Sequence, residues 1–284
     1  MAWPEIHSPL LVIPAAEPES PPAMQASLLA LRARHFHIKF ITKYFMTFHI
    51  ITIFPKIFDS YFNESILKRA LKKNLIDIKI HNLRDYTTDK HKTVDDTPFG
   101  GGAGMVMKIE PLYKAVSSIK YQVSKNIKKS LNTKYLIPDT KTILLSAKGK
   151  TLNQQMVKKL TKFKNIIFIC GRYEGVDERI TKFIDEEISI GGYVLTGGEI
   201  GAMAIIDSIT RLLPGALGNA DSAKFESHSI AGVLEHPQYT RPEIFITTPL
   251  QKGGRGVKLR VPKVLLSGNH KKIEDWRVKK SKHI

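Results

Sequence analysis

Residues 94–107 read VDDTPFGGGAGMVM, a stretch that combines acids, a proline and glycines. Asp95 and Asp96 stand just before a GGGAG run at 100–104, which has four glycines in five positions. Carboxylates can accept or hold a proton, and glycines let the backbone approach a flat ligand closely. The stretch therefore predicts a loop whose backbone can approach a flat ligand, with two acids directly before it.

Further glycine-bearing segments follow predicted strands. They are AKG (147–149), CGRYEG (170–175) and SIGGYVLTGGE (189–199). Each of them taken alone is compatible with a simple tight turn. Because α/β sheets bind ligands beyond the carboxyl ends of their strands, several such loops together predict a cleft in which backbone groups contact the ligand.

The glycine spacing excludes the two common nucleotide-binding fingerprints. A dinucleotide-binding G-x-G-x-x-G pattern fails because its last position is Met105 or Met107, depending on the starting glycine. A Walker pattern ending at 149–151 fails because Leu144 stands where its first glycine is required. Neither fingerprint is present, but glycines at strand ends still let backbone N–H and C=O groups contact a flat ligand such as an adenine edge.

Charged residues cluster after the second glycine loop. CGRYEGVDER (170–179) contains two arginines and three acids, which either serve a site or pair with one another at the surface. The ten histidines show no HExxH spacing, so no metal ligands are predicted. The contiguous SGNH at 267–270 is not evidence for the hydrolases of that name, which take these four residues from separated blocks.

The surrounding pattern alternates between strands and helices, which predicts an α/β fold with a parallel sheet covered by helices. Residues 219–241 look irregular, and lysine-rich 120–141 and the segment 249–260 are predicted to be exposed insertions. The predicted strands are FHIITIF, LIDIKIHNL, KTILLSA, NIIFIC and EISIG. The predicted helices are PKIFDSYFNESILKRALKKN, IEPLYKAVSSIK, TLNQQMVKKLTKF, GEIGAMAIIDSITRLL and HKKIEDWRVKKS.

Composition limits the classes of function. The 284 residues carry a formal net charge of +18, which favours a polyanionic partner such as nucleic acid, although solvated surface lysines are the alternative. No run is long and apolar enough to span a membrane. The single cysteine, Cys170, excludes an intrachain disulfide and favours a reducing, cytoplasmic location. Residues 1–45 are expected to be a disordered extension, or upstream sequence before a working start at Met46.

Six blocks of the sequence together resemble the bacterial tRNA (guanine-N1)-methyltransferase family. They are VDDTPFGGGAGMVMK, CGRYEGVDERI, EISIGGYVLTGGEIGAM, RLLPGALGN, YTRPE and VLLSGNHKKIEDWR, which occur in family order between Met46 and about Lys280. The resemblance implies methyl transfer from S-adenosylmethionine to N1 of the guanosine immediately 3′ of the tRNA anticodon. It also implies a SPOUT-class fold with a deep trefoil knot.

The resemblance further implies a homodimer with its active site at the subunit interface, which binds the anticodon arm of tRNA. It suggests a Mg²⁺ requirement, for which the spacing identifies no ligands. The implied division is a cofactor-binding domain at 46–218, a flexible linker at 219–241 and a short helical tRNA-binding domain at 242–284, with an insertion near 249–260.

The same resemblance assigns site residues by motif position. The implied cofactor-binding residues are Leu144, Leu145, Ser146, Gly171, Tyr173, Glu174, Ile190, Gly191, Gly192, Tyr193, Val194, Leu195, Gly197 and Gly198. The implied substrate-side loop contains Asp95, Asp96, Gly100, Gly101 and Gly102. The implied catalytic residues are Arg211 and a general base at Glu226, with Asp221 as the alternative base.

Several positions depart from the family pattern. Gly192 replaces a usual acid, Ala147 a proline and Phe99 a tyrosine, and the chain ends early at Ile284. The insertion and the short tail leave two alternatives to an active tRNA methyltransferase. One is a tRNA-binding protein of the same fold with impaired catalysis, and the other is a ribosomal RNA methyltransferase of the same class.

Overall fold

The computed structural model describes residues 45–130, 139–219, 222, 226–247 and 256–283, with side chains omitted at 126–130. The predicted extension at 1–45 therefore lies outside the described residues except for Phe45. The alternative base Asp221 and most of the predicted insertion also lie outside them.

Strands are labelled in chain order through the described residues. They are β1 (Met46–Thr52), β2 (Ile76–Asn82), β3 (Asp95–Asp96), β4 (Val106–Met107), β5 (Thr140–Thr151), β6 (Asn165–Cys170), β7 (Glu186–Ser189), β8 (Val233–Leu234), β9 (Ile244–Ile246), β10 (Lys258–Arg260) and β11 (Lys282–His283).

Helices are labelled in the same way. The α-helices are α1 (Asp59–Phe62), α2 (Ser65–Lys72), α3 (Ile109–Ser130), α4 (Gln154–Leu160), α5 (Glu199–Thr210) and α6 (His270–Lys280). Single 3-10 turns cover Pro55–Phe58, Leu83–Tyr86, Glu178–Phe183 and Lys263–Leu266.

The central sheet has the strand order β2-β1-β6-β5-β7, and all of its pairings are parallel. One hydrophobic cluster, which includes Phe168 and Ile205, covers one face of the sheet. A second cluster, which includes Ile167 and Leu112, covers the other face. Neighbouring residues of β6 point to opposite sides, so the strand is buried on both. The predicted α/β fold with a parallel sheet is confirmed.

Strand β5 differs from its neighbours because it is long and changes register. Its first part pairs with β6 and β7, and its pairing with β7 shifts between Leu145 and Lys150. A Cβ at Gly149 would lie 2.5 Å from the backbone nitrogen of Ile188. The glycine therefore permits the close crossing of β5 and β7 at the point where the register shifts.

Two predicted elements differ from the structure. The helix expected from Pro55 onward is broken into a 3-10 turn and the short helices α1 and α2, and Ser65 has a φ of +49° at the junction. The lysine-rich segment from 120 is not an exposed insertion throughout, because α3 continues to Ser130 and buries Val123. In the part of the chain that is described, no helix has the length and apolarity to cross a membrane.

A pair of histidines lies on neighbouring strands away from the glycine loops. His49 Nδ1 lies 3.1 Å from His81 Nε2, and the two rings stack with centroids 5.3 Å apart. His81 Nδ1 lies 3.2 Å from the Tyr86 hydroxyl. Burial, His81 and Lys79 together lower the pKa of His49 to about 4, and burial with Lys79 lowers that of His81. Both rings are therefore held neutral.

The histidine pair predicts that the protein loses stability on mild acidification. Folding lowers the pKa of His49. This histidine is therefore protonated below about pH 6.5 in the unfolded chain but only near pH 4 in the folded chain. Protonation of His49 in the unfolded chain is expected to lower the free energy of unfolding by about 2 kcal/mol between pH 7.5 and pH 5. Urea unfolding at the two pH values measures the loss.

The His49→Gln variant should lose most of this pH dependence. The exposed His91 offers the matched control, because His91→Gln removes a histidine that is not buried. Equal pH dependence in the wild type and in His49→Gln would contradict the prediction.

Candidate functional site

A cleft lies beside residues 144–148 of β5 and the carboxyl ends of β6 and β7, and the glycine-bearing loops after β6 and β7 form the rest of its walls. The AKG segment (147–149), which the sequence predicted to follow a strand, instead lies within β5, because this strand continues to Thr151. Twelve of the fourteen predicted cofactor-binding residues line the cleft. They are Leu144, Leu145, Ser146, Gly171, Tyr173, Glu174, Ile190, Tyr193, Val194, Leu195, Gly197 and Gly198. Gly191 and Gly192 belong to the same third loop but are not among the residues that line the cleft.

Close backbone packing holds the second and third loops together. The Gly198 amide donates to the Gly171 carbonyl at 3.0 Å. A Cβ at Gly198 would lie 2.8 Å from the Leu145 Cβ and 2.9 Å from the Cys170 Cα. No side chain fits at this contact, so the glycine is a packing requirement as well as a possible ligand contact.

Tyr173 is a half-exposed residue in the second loop with a left-handed backbone, at a φ of +60°. Partial burial, followed by the charge of Asp95 and a hydrogen bond to it, raises the pKa of the Tyr173 hydroxyl. Tyr173 therefore links the predicted cofactor loop to Asp95 of the predicted substrate-side loop. Sequence spacing alone did not indicate this link.

The substrate-side loop is attached to the second loop by main-chain hydrogen bonds. The Glu174 amide donates to Met105 at 3.0 Å, and the Met107 amide donates to Gly175 at 3.0 Å. A Cβ at Gly104 would meet the Glu174 side chain at 2.5 Å. The loop thus lies beside the cleft, as the position of its glycines suggested.

The tip of this loop is open. Gly100, Gly101 and Gly102 all have positive φ values, and a Cβ on any of them would meet no atom within 4 Å. Phe99 beside them is fully exposed. Asp96 is also exposed, and its carboxylate lies 4.0 Å from Lys108. These glycines therefore allow the positive φ values of the loop, and no described atom occupies the space where a Cβ on them would lie.

The two predicted catalytic residues form an ion pair with each other. Arg211 follows the last turn of α5, and its Nη2 lies 2.6 Å from Oε2 of Glu226. The linker that carries Glu226 is attached to α4, because Lys158 Nζ donates to the Ser229 carbonyl at 2.8 Å. Neither member of the pair is among the described residues that line the cleft of this chain.

The charges of CGRYEGVDER are only partly paired with one another. Arg179 binds Asp177 at 2.6 Å, and Glu178 lies 3.9 Å from Lys148. Arg172 instead pairs with Glu199, 27 residues further along the chain. Surface pairing, one of the two alternatives that the sequence left open, therefore holds for Asp177 and Arg179, whereas Arg172 lines the cleft and pairs outside the segment.

Sequence reasoning missed several residues that line the cleft or support it. The sequence placed Arg172 only in a charge cluster, and it gave no reason to select Glu199 or Thr52. Lys148, Val176 and Gly201 also line the cleft. Among the residues that the structure describes, no group of three or more His, Cys, Asp or Glu is arranged to hold a metal ion.

Comparison with known proteins gives one consistent family. The family described as tRNA (Guanine-1)-methyltransferase TrmD matches residues 46–284. A relative named tRNA (guanine-N(1)-)-methyltransferase from Dictyoglomus turgidum is 50% identical over 232 residues, which cover 82% of this chain and 83% of the relative. A relative of the same name from Clostridioides difficile is 48% identical over 237 residues, which cover 83% of this chain and 92% of the relative.

Proposed function

The chain belongs to the tRNA (guanine-1)-methyltransferase family, and we propose on this premise that it transfers a methyl group from S-adenosylmethionine to N1 of a guanosine in tRNA. The proposed target is the guanosine immediately 3′ of the anticodon. The observation that carries the proposal is the convergence of residues 144–148 of β5 and the glycine-bearing loops after β6 and β7 on one cleft, within a chain that matches the family across residues 46–284.

The cleft fits S-adenosylmethionine in its chemistry. Five glycines are among the described residues that line the cleft, so amide and carbonyl groups are accessible for an adenine edge, while Leu144, Leu145 and Ile190 offer apolar contacts. The cofactor supplies an electrophilic methyl group when bound. The fourteen residues assigned from the sequence are proposed to bind it, and twelve of them line the cleft.

Reaction at guanine N1 requires removal of the N1 proton, because the protonated nitrogen has no free lone pair for the methyl group. In the proposed mechanism, the Glu226 carboxylate accepts this proton, and the Arg211 guanidinium stabilises the negative charge that develops on O6. Their ion pair keeps the carboxylate next to a cation before substrate arrives. The target base must also leave its stack to reach them.

The position of this pair supports a homodimer. Arg211 and Glu226 do not line the cleft that their own chain forms, although the reaction requires base, arginine and methyl donor at one place. We propose that a second copy of the chain supplies the pair to each cleft. We also propose that the target base, where it lies beside that cleft, is faced by Asp95, Asp96 and the glycines at 100–102.

The finer architecture is also proposed from the family. The close crossing at Gly149 and the contact of Gly198 with Leu145 and Cys170 support a trefoil knot formed by the cofactor loops. Within residues 46–284, which match the family, we propose a cofactor-binding domain at 46–218, a linker at 219–241 and a tRNA-binding domain at 242–284. Exposed Lys271, Lys272 and Arg277 on α6 would contact phosphates.

Methyl transfer to two tRNA transcripts tests the proposal. The transcripts differ only in the nucleotide 3′ of the anticodon, which is guanosine in one and adenosine in the other. With labelled S-adenosylmethionine, we expect label in the guanosine transcript alone, and at N1 after digestion.

Binding of S-adenosylmethionine without label in either transcript would contradict catalysis and favour a tRNA-binding protein with impaired catalysis. Label in ribosomal RNA but not in tRNA would favour the ribosomal substrate. The assay is run with and without added Mg²⁺, since no metal site is assigned.

A further inference from the structure

We propose that Arg172 and Glu199 are positioning residues that set the affinity for S-adenosylmethionine by holding two cofactor loops at a fixed separation. The inference rests on the proposed function, because it takes the cleft to be the cofactor site. Arg172 belongs to the second loop and itself lines the cleft. Glu199 begins α5, directly after the third loop.

Glu199 is an ionisable residue in an almost fully buried position, with only 1% of its side chain exposed. Its Oε1 accepts hydrogen bonds from the Thr52 hydroxyl at 2.8 Å and from Arg172 Nε at 3.2 Å. Its Oε2 lies 3.0 Å from Arg172 Nη2. A buried carboxylate needs such compensation, and its place in the first turn of α5 adds the favourable end of the helix dipole.

Arg172 has each of its three guanidinium nitrogens directed at protein. Nε and Nη2 contact Glu199, and Nη1 donates to the Thr196 carbonyl at 3.2 Å. The guanidinium carbon also lies 4.7 Å from the centre of the Phe54 ring. The polar contacts of the Arg172 side chain are therefore made within the protein. We expect the side chain to affect cofactor affinity through the positions of the two loops.

The pair also determines the path of the third loop. A Cβ at Gly197 would meet Arg172 Nε, and it would lie 2.6 Å from Glu199 Oε2. Arg172 and Gly197 form an isolated antiparallel bridge through their backbones. The loop thus lies directly on the ion pair, and a change in the pair would release Gly197 and Gly198 from their positions beside the cleft.

The contacts join four segments that are distant in sequence. Thr52 and Phe54 come from the end of β1, and Met107 Sδ accepts from the Arg172 amide at 3.1 Å. Loops that are held in the binding conformation lose less freedom when a ligand binds. Loss of the pair should therefore weaken cofactor binding, while the chemical step on bound cofactor should be nearly unaffected.

The main test uses Arg172→Lys, which retains the charge but loses the planar guanidinium whose Nε donates to Glu199 Oε1 and whose Nη2 lies within ion-pair distance of Oε2. We expect the Kd for S-adenosylmethionine, measured by calorimetry, and the KM for it to rise about tenfold. At saturating cofactor, kcat should stay within about threefold of the wild type, and the Kd for tRNA should be unchanged. Thr52→Val, which removes one hydrogen bond to Glu199, should show a smaller rise in the same Kd.

Arg179→Lys is the matched control, because Arg179 forms an exposed pair with Asp177 in the same segment. It should leave the cofactor Kd unchanged. An unchanged cofactor Kd in Arg172→Lys, or a fall in kcat with that Kd unchanged, would overturn the proposal. If Arg172→Lys does not fold, Thr52→Val decides, and a wild-type Kd in that variant overturns it. Failure of the wild type itself to bind S-adenosylmethionine would instead refute the proposed function.

Discussion

The Glu226→Gln variant is expected to transfer methyl groups at least about 10²-fold more slowly than the wild type, because glutamine cannot accept the N1 proton. Glutamine retains the size of the side chain and can still accept a hydrogen bond from Arg211. Only 13% of the Glu226 side chain is exposed, so a smaller replacement would also remove packing. Single-turnover kinetics at saturating cofactor and tRNA measure the effect on the chemical step.

A role as general base requires that cofactor binding survives the change. The Kd for S-adenosylmethionine should remain that of the wild type in Glu226→Gln, since Glu226 is proposed to contact the guanine and not the cofactor. Glu235→Gln is the matched control, because Glu235 is an exposed glutamate of the same linker. A wild-type rate in Glu226→Gln would remove Glu226 from the mechanism and direct attention to Asp221.

The general plan of the site was predictable because it depends on one physical rule. Parallel strands place their carboxyl ends at the same edge of a sheet, so the glycine-bearing segments after the predicted strands were expected to be neighbours. This rule indicated that the segments with Gly171 and Gly198 meet at one cleft, whereas Ser146 was assigned by the family resemblance and lies within β5. The rule fixes which loops meet, but it does not fix which residues of a loop face inward. Gly191 and Gly192 were assigned by family motif position, and they are not among the residues that line the cleft.

The supporting contacts were not predictable because they join residues at unrelated spacings. Thr52 and Glu199 are 147 residues apart, and no periodic pattern connects them. Arg211 and Glu226 were each selected by motif position, but their ion pair depends on the path of an irregular linker. The early helix was overpredicted for a similar reason. Its apolar stripe is real, since Phe58 and Phe62 are buried, but the backbone turns sharply at Ser65.

Gly198→Val is expected to abolish measurable binding of S-adenosylmethionine and to lower the free energy of unfolding by about 3 kcal/mol, the upper part of the usual range for overpacking. The added Cβ would stand 2.9 Å from the Cys170 Cα and 3.3 Å from the Gly171 amide, so the clash is with backbone as well as with Leu145. Backbone at the end of a central strand cannot move aside as a flexible side chain does. The two loops must therefore separate, which breaks the hydrogen bond from Gly198 to Gly171. Urea unfolding and calorimetric titration measure the two effects.

The control for this change is Gly218→Ala, at an exposed glycine where a Cβ would meet no atom within 4 Å. Its stability should stay within about 0.5 kcal/mol of the wild type, as at most surface positions. The combination of results separates two roles of Gly198. Normal stability with lost cofactor binding would mean that the valine only blocks the cleft, and the packing argument would then be wrong. Loss of both shows that the contact between the second and third loops shapes the cleft and stabilises the fold at the same time, because one backbone crossing serves both.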